Sequence, residues 1–65
     1  MQKFTLEIRM DNAAFEEADG YEGKEVARIL EKLAKLLDGV PLSKGFYNTL
    51  FDINGNRVGE WKVTA

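Results

Sequence analysis

Residues 3–10 alternate strictly, with Phe4, Leu6, Ile8 and Met10 on one side and Lys3, Thr5, Glu7 and Arg9 on the other. A period of two with one apolar face predicts a half-buried strand. Over residues 24–38 the period changes to that of a helix: Val26, Ala27, Ile29, Leu30, Leu33, Ala34, Leu36 and Leu37 gather on one side. The charged residues Lys24, Glu25, Arg28, Glu31, Lys32, Lys35 and Asp38 fall on the other. Gly39 suits the left-handed position just past the helix, and Pro41 bars its continuation. Two further strands are predicted over 45–53 and 57–63, around Asn54-Gly55-Asn56. Asn-Gly between apolar runs signals a hairpin, because both residues tolerate positive φ.

Two registers fit the hairpin. A two-residue loop at Asn54-Gly55 sets Asp52 opposite Arg57 and Phe51 opposite Val58. Phe46, Leu50, Gly59, Trp61 and Val63 then share one face, and Tyr47, Phe51, Ile53 and Val58 share the other. A three-residue loop with a bulge also fits, since Asp52-Ile53-Asn54-Gly55 suits a type I turn. Between the first strand and the helix, residues 11–23 open on an Asp11-Asn12 cap and stop at Asp19-Gly20. They read as a loop containing about two helical turns, with Phe15 turned inward.

The elements add up to one small α+β domain over residues 1–65, βαββ in order, a three-stranded sheet with one amphipathic helix packed on one face. The expected core is Phe4, Leu6, Ile8, Val26, Ile29, Leu30, Leu33, Leu37, Leu50 and Trp61.

Composition narrows the chemistry. The chain has no cysteine and no histidine, which removes disulfides, thiolate metal sites, the commonest general base and the commonest metal ligand. Ser43, Lys44, Tyr21, Tyr47 and many carboxylates are present, yet no spacing sets a nucleophile beside a base. Neither an enzyme nor a cofactor is expected. With 9 basic and 11 acidic side chains the net charge is -2, which gives no global attraction to nucleic acid or anionic membrane. The amino-terminal alternation is unlike a signal peptide, and no run approaches the ~18 apolar residues of a membrane span, so a cytoplasmic protein is expected.

The segment Asp52-Ile53-Asn54-Gly55-Asn56-Arg57-Val58-Gly59-Glu60-Trp61 carries a family resemblance. With the opening strand, Asp11-Asn12-Ala13-Ala14-Phe15 and Glu25-Val26-Ala27-Arg28-Ile29-Leu30, it resembles a family of small uncharacterised proteins encoded by bacteriophages, prophages and related mobile elements. The resemblance spans nearly the whole chain. It implies a phage- or prophage-derived protein acting inside a bacterial host cell, and it supplies no catalytic or binding residues.

Four surfaces are candidates for function. Asp52, Asn54 and Asn56 match the first three ligand positions of a calcium loop, but Arg57 replaces its glycine and Val63 its final glutamate, so a plain turn explains them better. Asp11, Glu16, Glu17, Asp19 and Glu22 form an acidic segment, most simply a solvated loop near a helix N-terminus. Lys24, Arg28, Lys32 and Lys35 lie within an arc of ~80° on the helix and give the alternative reading, weak nucleic-acid binding. The leading reading rests on Tyr47, Phe51, Ile53 and Val58. In the two-residue register these would form an apolar patch on the uncovered sheet face, a surface for a protein partner or for homodimer formation.

Overall fold

A computed structural model describes residues 1–16 and 23–65. Strand β1 spans Lys3–Ile8, helix α1 Gly23–Leu37, strand β2 Tyr47–Phe51 and strand β3 Arg57–Thr64. They build an α+β domain in which β3 is the central strand, antiparallel to β1 on one side and to β2 on the other. Both β1 and β2 are therefore edge strands, and α1 carries the chain across β3 between them. Of the loop over 11–23 expected to hold about two helical turns, the described residues 11–16 form one 3-10 turn, Ala13–Phe15, capped by the Asn12 side chain accepting from the Ala14 N–H. It turns Phe15 into the core, as the sequence suggests. The expected stop at Asp19-Gly20, and the acids Glu17, Asp19 and Glu22, lie outside the described residues.

The core is Phe15, Ile29, Leu33, Leu50, Val58, Trp61 and Val63, with Leu6, Ile8, Ala14, Val26 and Leu37 packed around it. Ile29 and Leu33 sit one turn apart, so α1 presents a narrow ridge to the sheet. Three strands cannot cover the whole apolar arc of the helix. Leu30 stays 43 % exposed on one flank and Leu36 59 % exposed on the other, which corrects the expectation that Leu30 belongs to the core. Phe4 is 40 % exposed at the end of β1, yet its ring stacks on Trp61 with centroids 5.5 Å apart. The helix ends where expected: Gly39 adopts φ +83°.

The hairpin takes the three-residue form. The Gly55 N–H donates to the Asp52 carbonyl and the Asp52 N–H donates to the Asn56 carbonyl, closing a turn over 52–55 with Gly55 at φ +84°. Asn54 keeps a negative φ, which excludes the two-residue turn. The ladder then pairs Leu50 with Gly59 and Phe51 with Arg57, leaving Val58 as an extra residue in β3. At such a bulge two successive side chains fall toward the same face. Val58 and Gly59 are both buried, and Val58 is among the most enclosed residues at 2 % exposed. Val58 is thus a core residue and not part of an open patch, the main correction to the face assignments of the two-residue register.

Gly59 has its own constraint. It faces Leu50 on one side and Ile8 on the other, in the central strand β3. A Cβ there would collide with the Glu7 carbonyl oxygen and lie 2.9 Å from the Glu7 carbonyl carbon and 3.0 Å from the Ile8 Cα. The β1 and β3 backbones approach too closely at this point for any side chain.

Candidate functional site: the β2 edge and its groove

Asp52 organises the hairpin end of the domain. One carboxylate oxygen accepts from the backbone N–H groups of Asn54 (2.9 Å) and Asn56 (2.8 Å). The other accepts from the side-chain amides of Asn12 (2.8 Å) and Asn56 (3.3 Å). Asn12 is 40 positions away in sequence, so this carboxylate joins the turn after β1 to the hairpin. Four N–H donors occupy the oxygens that a calcium loop would aim at a cation. The spacing of Asp52, Asn54 and Asn56 is that of a side-chain-capped turn.

Glu25 is the second buried carboxylate, at 6 % exposed. Its position on the polar side of the helical wheel did not suggest burial. Arg28, one turn later, grips it through Nε (2.8 Å) and Nη2 (2.9 Å), and the Ile53 N–H donates to it at 2.8 Å. Arg28 Nη2 also reaches the Phe51 carbonyl at 3.5 Å. The first turn of α1 is thereby fastened to the hairpin by a charged pair whose carboxylate also takes the Ile53 N–H. The Glu25–Arg28 spacing is the signal that could have revealed this pairing.

The environment shifts all three groups. For Glu25 the Arg28 hydrogen bonds lead, joined by the Ile53 N–H, and against burial they hold its pKa below the usual value. Arg28 is raised in turn, chiefly by the same hydrogen bonds to Glu25. Burial pushes Asp52 up, but the bonds from Asn56, Asn12 and Asn54 together outweigh it and leave the pKa lowered. A carboxyl with a lowered folded-state pKa stabilises the fold above its unfolded value of ~4, and that stability disappears as pH falls through the folded value. The urea midpoint is therefore expected to fall steeply as pH drops below ~4. The double variant Glu25→Gln, Asp52→Asn, less stable at neutral pH, should show a distinctly flatter pH dependence over the same interval. An equally steep curve would show that other groups carry the acid sensitivity.

Beside this cluster lies an apolar groove of about 130 Å³ between α1 and the β2 edge. Ile29, Leu33, Leu50 and Trp61 contribute to its lining, with Leu36 on the helix side and Phe51 on the strand side. Arg28 and Lys32 also line it, and among the described residues no acidic one does. At 100° per residue the basic arc starts at Lys32 and Arg28 on the flank of α1 that borders β2 and continues through Lys35 and Lys24 onto the outer side of the helix. The basic arc and the groove are therefore neighbours rather than separate surfaces. Arg28 is committed to Glu25, and Lys35 pairs with Glu31 at 3.7 Å, so two of the four cations have carboxylate partners. Lys24 and Lys32 are exposed.

The four residues of the expected patch divide. Tyr47 (75 % exposed), Phe51 (54 %) and Ile53 (68 %) stand at the surface, all on β2 or just beyond it, whereas Val58 lies inside. Away from β2 the uncovered sheet face carries Lys3, Thr5, Glu7, Glu60 and Lys62 and is polar. On this face the exposed apolar side chains thus lie along the β2 edge rather than across the sheet. Phe46, 42 % exposed, extends the row at the start of β2.

Among the described residues the outer side of that edge has no partner strand either. The Val63 N–H donates to the Phe46 carbonyl, so by antiparallel alternation Asn48 and Leu50 bond to β3 while Tyr47 and Thr49 direct their N–H and C=O groups outward. The Asn48 side-chain oxygen covers the Thr49 N–H at 2.8 Å.

Fold and site together define a small α+β domain whose edge strand β2, paired on one side only among the described residues, lies beside a cation-flanked groove. Compared with protein-family models, with curated proteins and with solved structures, the chain matches none. Among the described residues no helix is long and apolar enough to cross a membrane.

Proposed function

We propose that this protein is a protein-interaction module that takes its partner along β2. One observation carries the reading: the composition of the two edge strands. Natural sheets protect exposed edges with charged residues, proline or bulges, because an unpaired strand invites another chain. β1, KFTLEI, includes Lys3 and Glu7, and Arg9 follows it. β2, YNTLF, has neither a charge nor a proline, and both its terminal residues are exposed aromatics. Exposed tyrosine and phenylalanine are costly on a solitary surface and well suited to anchoring a contact.

The resemblance of the hairpin to that of small phage- and prophage-encoded proteins supports a setting inside a bacterial cell, with a host protein or a second copy as partner. Nucleic-acid binding through Lys24, Arg28, Lys32 and Lys35 is the weaker reading, since Arg28 and Lys35 already have carboxylate partners.

Tyr47→Glu and Phe51→Glu, each at an exposed position, are expected to abolish association while leaving helical circular dichroism unchanged. Pull-down from bacterial lysate, with and without nuclease, alongside sedimentation of the purified protein, reads the effect. Association that persists in both variants removes the β2 surface, and recovery lost on nuclease treatment transfers the function to the basic flank of α1.

A further inference from the structure

Resting on the reading of β2 as an interaction surface, we infer that its occupant is an extended, acidic-apolar segment of another protein. The segment adds as a fourth strand beside β2 and sets its inward side chains into the groove against α1. Three features converge on this occupant. The outward N–H and C=O groups of Tyr47 and Thr49 offer the main-chain ladder that an added strand uses. A strand laid there has alternate side chains directed to the helix-covered side, where the groove of about 130 Å³ has room for an aliphatic or aromatic group against Ile29, Leu33 and Leu36. The helix wall of the groove presents Lys32, exposed and without a carboxylate partner among the described residues, next to the Glu25-paired Arg28, and among the described residues no acid lines it. Carboxylates on the incoming strand meet complementary charge, whereas lysine or arginine meets repulsion.

The same charges disfavour a second copy. A two-fold antiparallel pairing of β2 with β2 would join the sheets with both helices on one side. It would bring the two cation-bearing flanks, Lys32 against Lys32, toward the axis. Tyr47 would pair with Phe51 across that axis, but Lys32, which has no carboxylate partner among the described residues, would face its own counterpart.

The Asn48 side chain, bonded to the Thr49 N–H, acts as a removable cover on this edge. An incoming carbonyl replaces it bond for bond, so the free protein keeps its edge N–H satisfied until the partner arrives.

Selection from a library of random peptides about 12 residues long, enough for one strand, tests the occupant directly. The enriched sequences are expected to alternate apolar residues with Asp or Glu. Binding of a selected peptide should weaken about tenfold in the exposed-site variant Lys32→Glu. It should be lost when alternate backbone nitrogens of the peptide are methylated, since the ladder then cannot form. Enrichment of basic or proline-rich sequences, no enrichment at all, or affinity unchanged by Lys32→Glu overturns the inference. A wild-type dimer in sedimentation that Tyr47→Glu dissociates would also overturn it in favour of a second copy, while leaving β2 as the interaction surface. Peptide binding indifferent to Tyr47→Glu and Phe51→Glu would instead remove β2 itself.

Discussion

Replacing Gly59 with alanine is expected to cost about 3 kcal/mol or more, the upper range for forcing an extra methyl into a packed interior. The collision is with backbone: the new Cβ would strike the Glu7 carbonyl oxygen and lie 3.0 Å from the Ile8 Cα. A side chain in the way can change rotamer, but here β1 itself must move away from β3. β1 supplies Leu6 and Ile8 to the packing around the core, and its Phe4 stacks on Trp61. A 65-residue domain has roughly 3–10 kcal/mol of stability in total, so the variant should be marginal or unfolded. In thermal denaturation this corresponds to a fall in Tm of about 12–24 °C. Gly23→Ala, where a Cβ meets nothing within 4 Å, serves as the control and should melt near the wild-type temperature. A Gly59→Ala variant as stable as the control would show that the two strands do not approach as described.

The second large effect is expected at Val58. Aspartate there places a charge at a site 2 % exposed, among Leu50, Trp61 and Val63, at a cost of about 3–5 kcal/mol. Ile53→Asp, a few residues away but 68 % exposed, should change stability by about 0.5 kcal/mol or less. The pair of variants discriminates between the two hairpin registers. With a two-residue turn both side chains would stand on the open face and both substitutions would be mild. Urea denaturation of the two proteins side by side reads the answer, and equal midpoints would contradict the bulged register.

These two sites explain what the hairpin segment encodes. Asp52 caps the turn, Gly55 supplies its positive φ, Asn56 donates back to Asp52, Val58 occupies the bulge, Gly59 permits strand contact and Trp61 fills the core. Every one of these residues is used in folding. The segment therefore says more about how the sheet closes than about what it binds. The binding surface proposed above uses Tyr47, Thr49 and Phe51, which lie before it or at its margin.

Periodicity made the elements legible. The period-two run before Ile8 and the helical run ending at Gly39 depend only on which side chains are apolar, and their boundaries fall within a few residues of those expected. The register of the hairpin depended on something else. Asn54-Gly55 favours a two-residue turn in isolation, but the Asp52 carboxylate gathers the N–H groups of Asn54 and Asn56 and closes the turn one residue earlier. That local competition moved Val58 from the surface to the core.

The candidate site was legible in its parts but not in its arrangement. Tyr47, Phe51 and Ile53 are exposed, and the basic arc of α1 follows from the helical wheel. That the arc borders the groove beside β2 depends on how α1 crosses β3, which no periodicity encodes. Glu25 illustrates the same limit, because its burial is compensated by Arg28 and by the Ile53 N–H 28 positions away.

Amide chemical-shift mapping of the labelled protein titrated with a library-selected peptide, supplemented by intermolecular contacts across the new ladder, tests the β2 surface most directly. The expected result is that the largest shifts fall on Tyr47, Thr49 and Phe51, with the Asn48 side-chain amide and Lys32 moving and β1 unaffected. Shifts centred on Lys3–Ile8, or on the outer face of α1 with β2 silent, would contradict the assignment of β2 as the surface where this protein meets its partner.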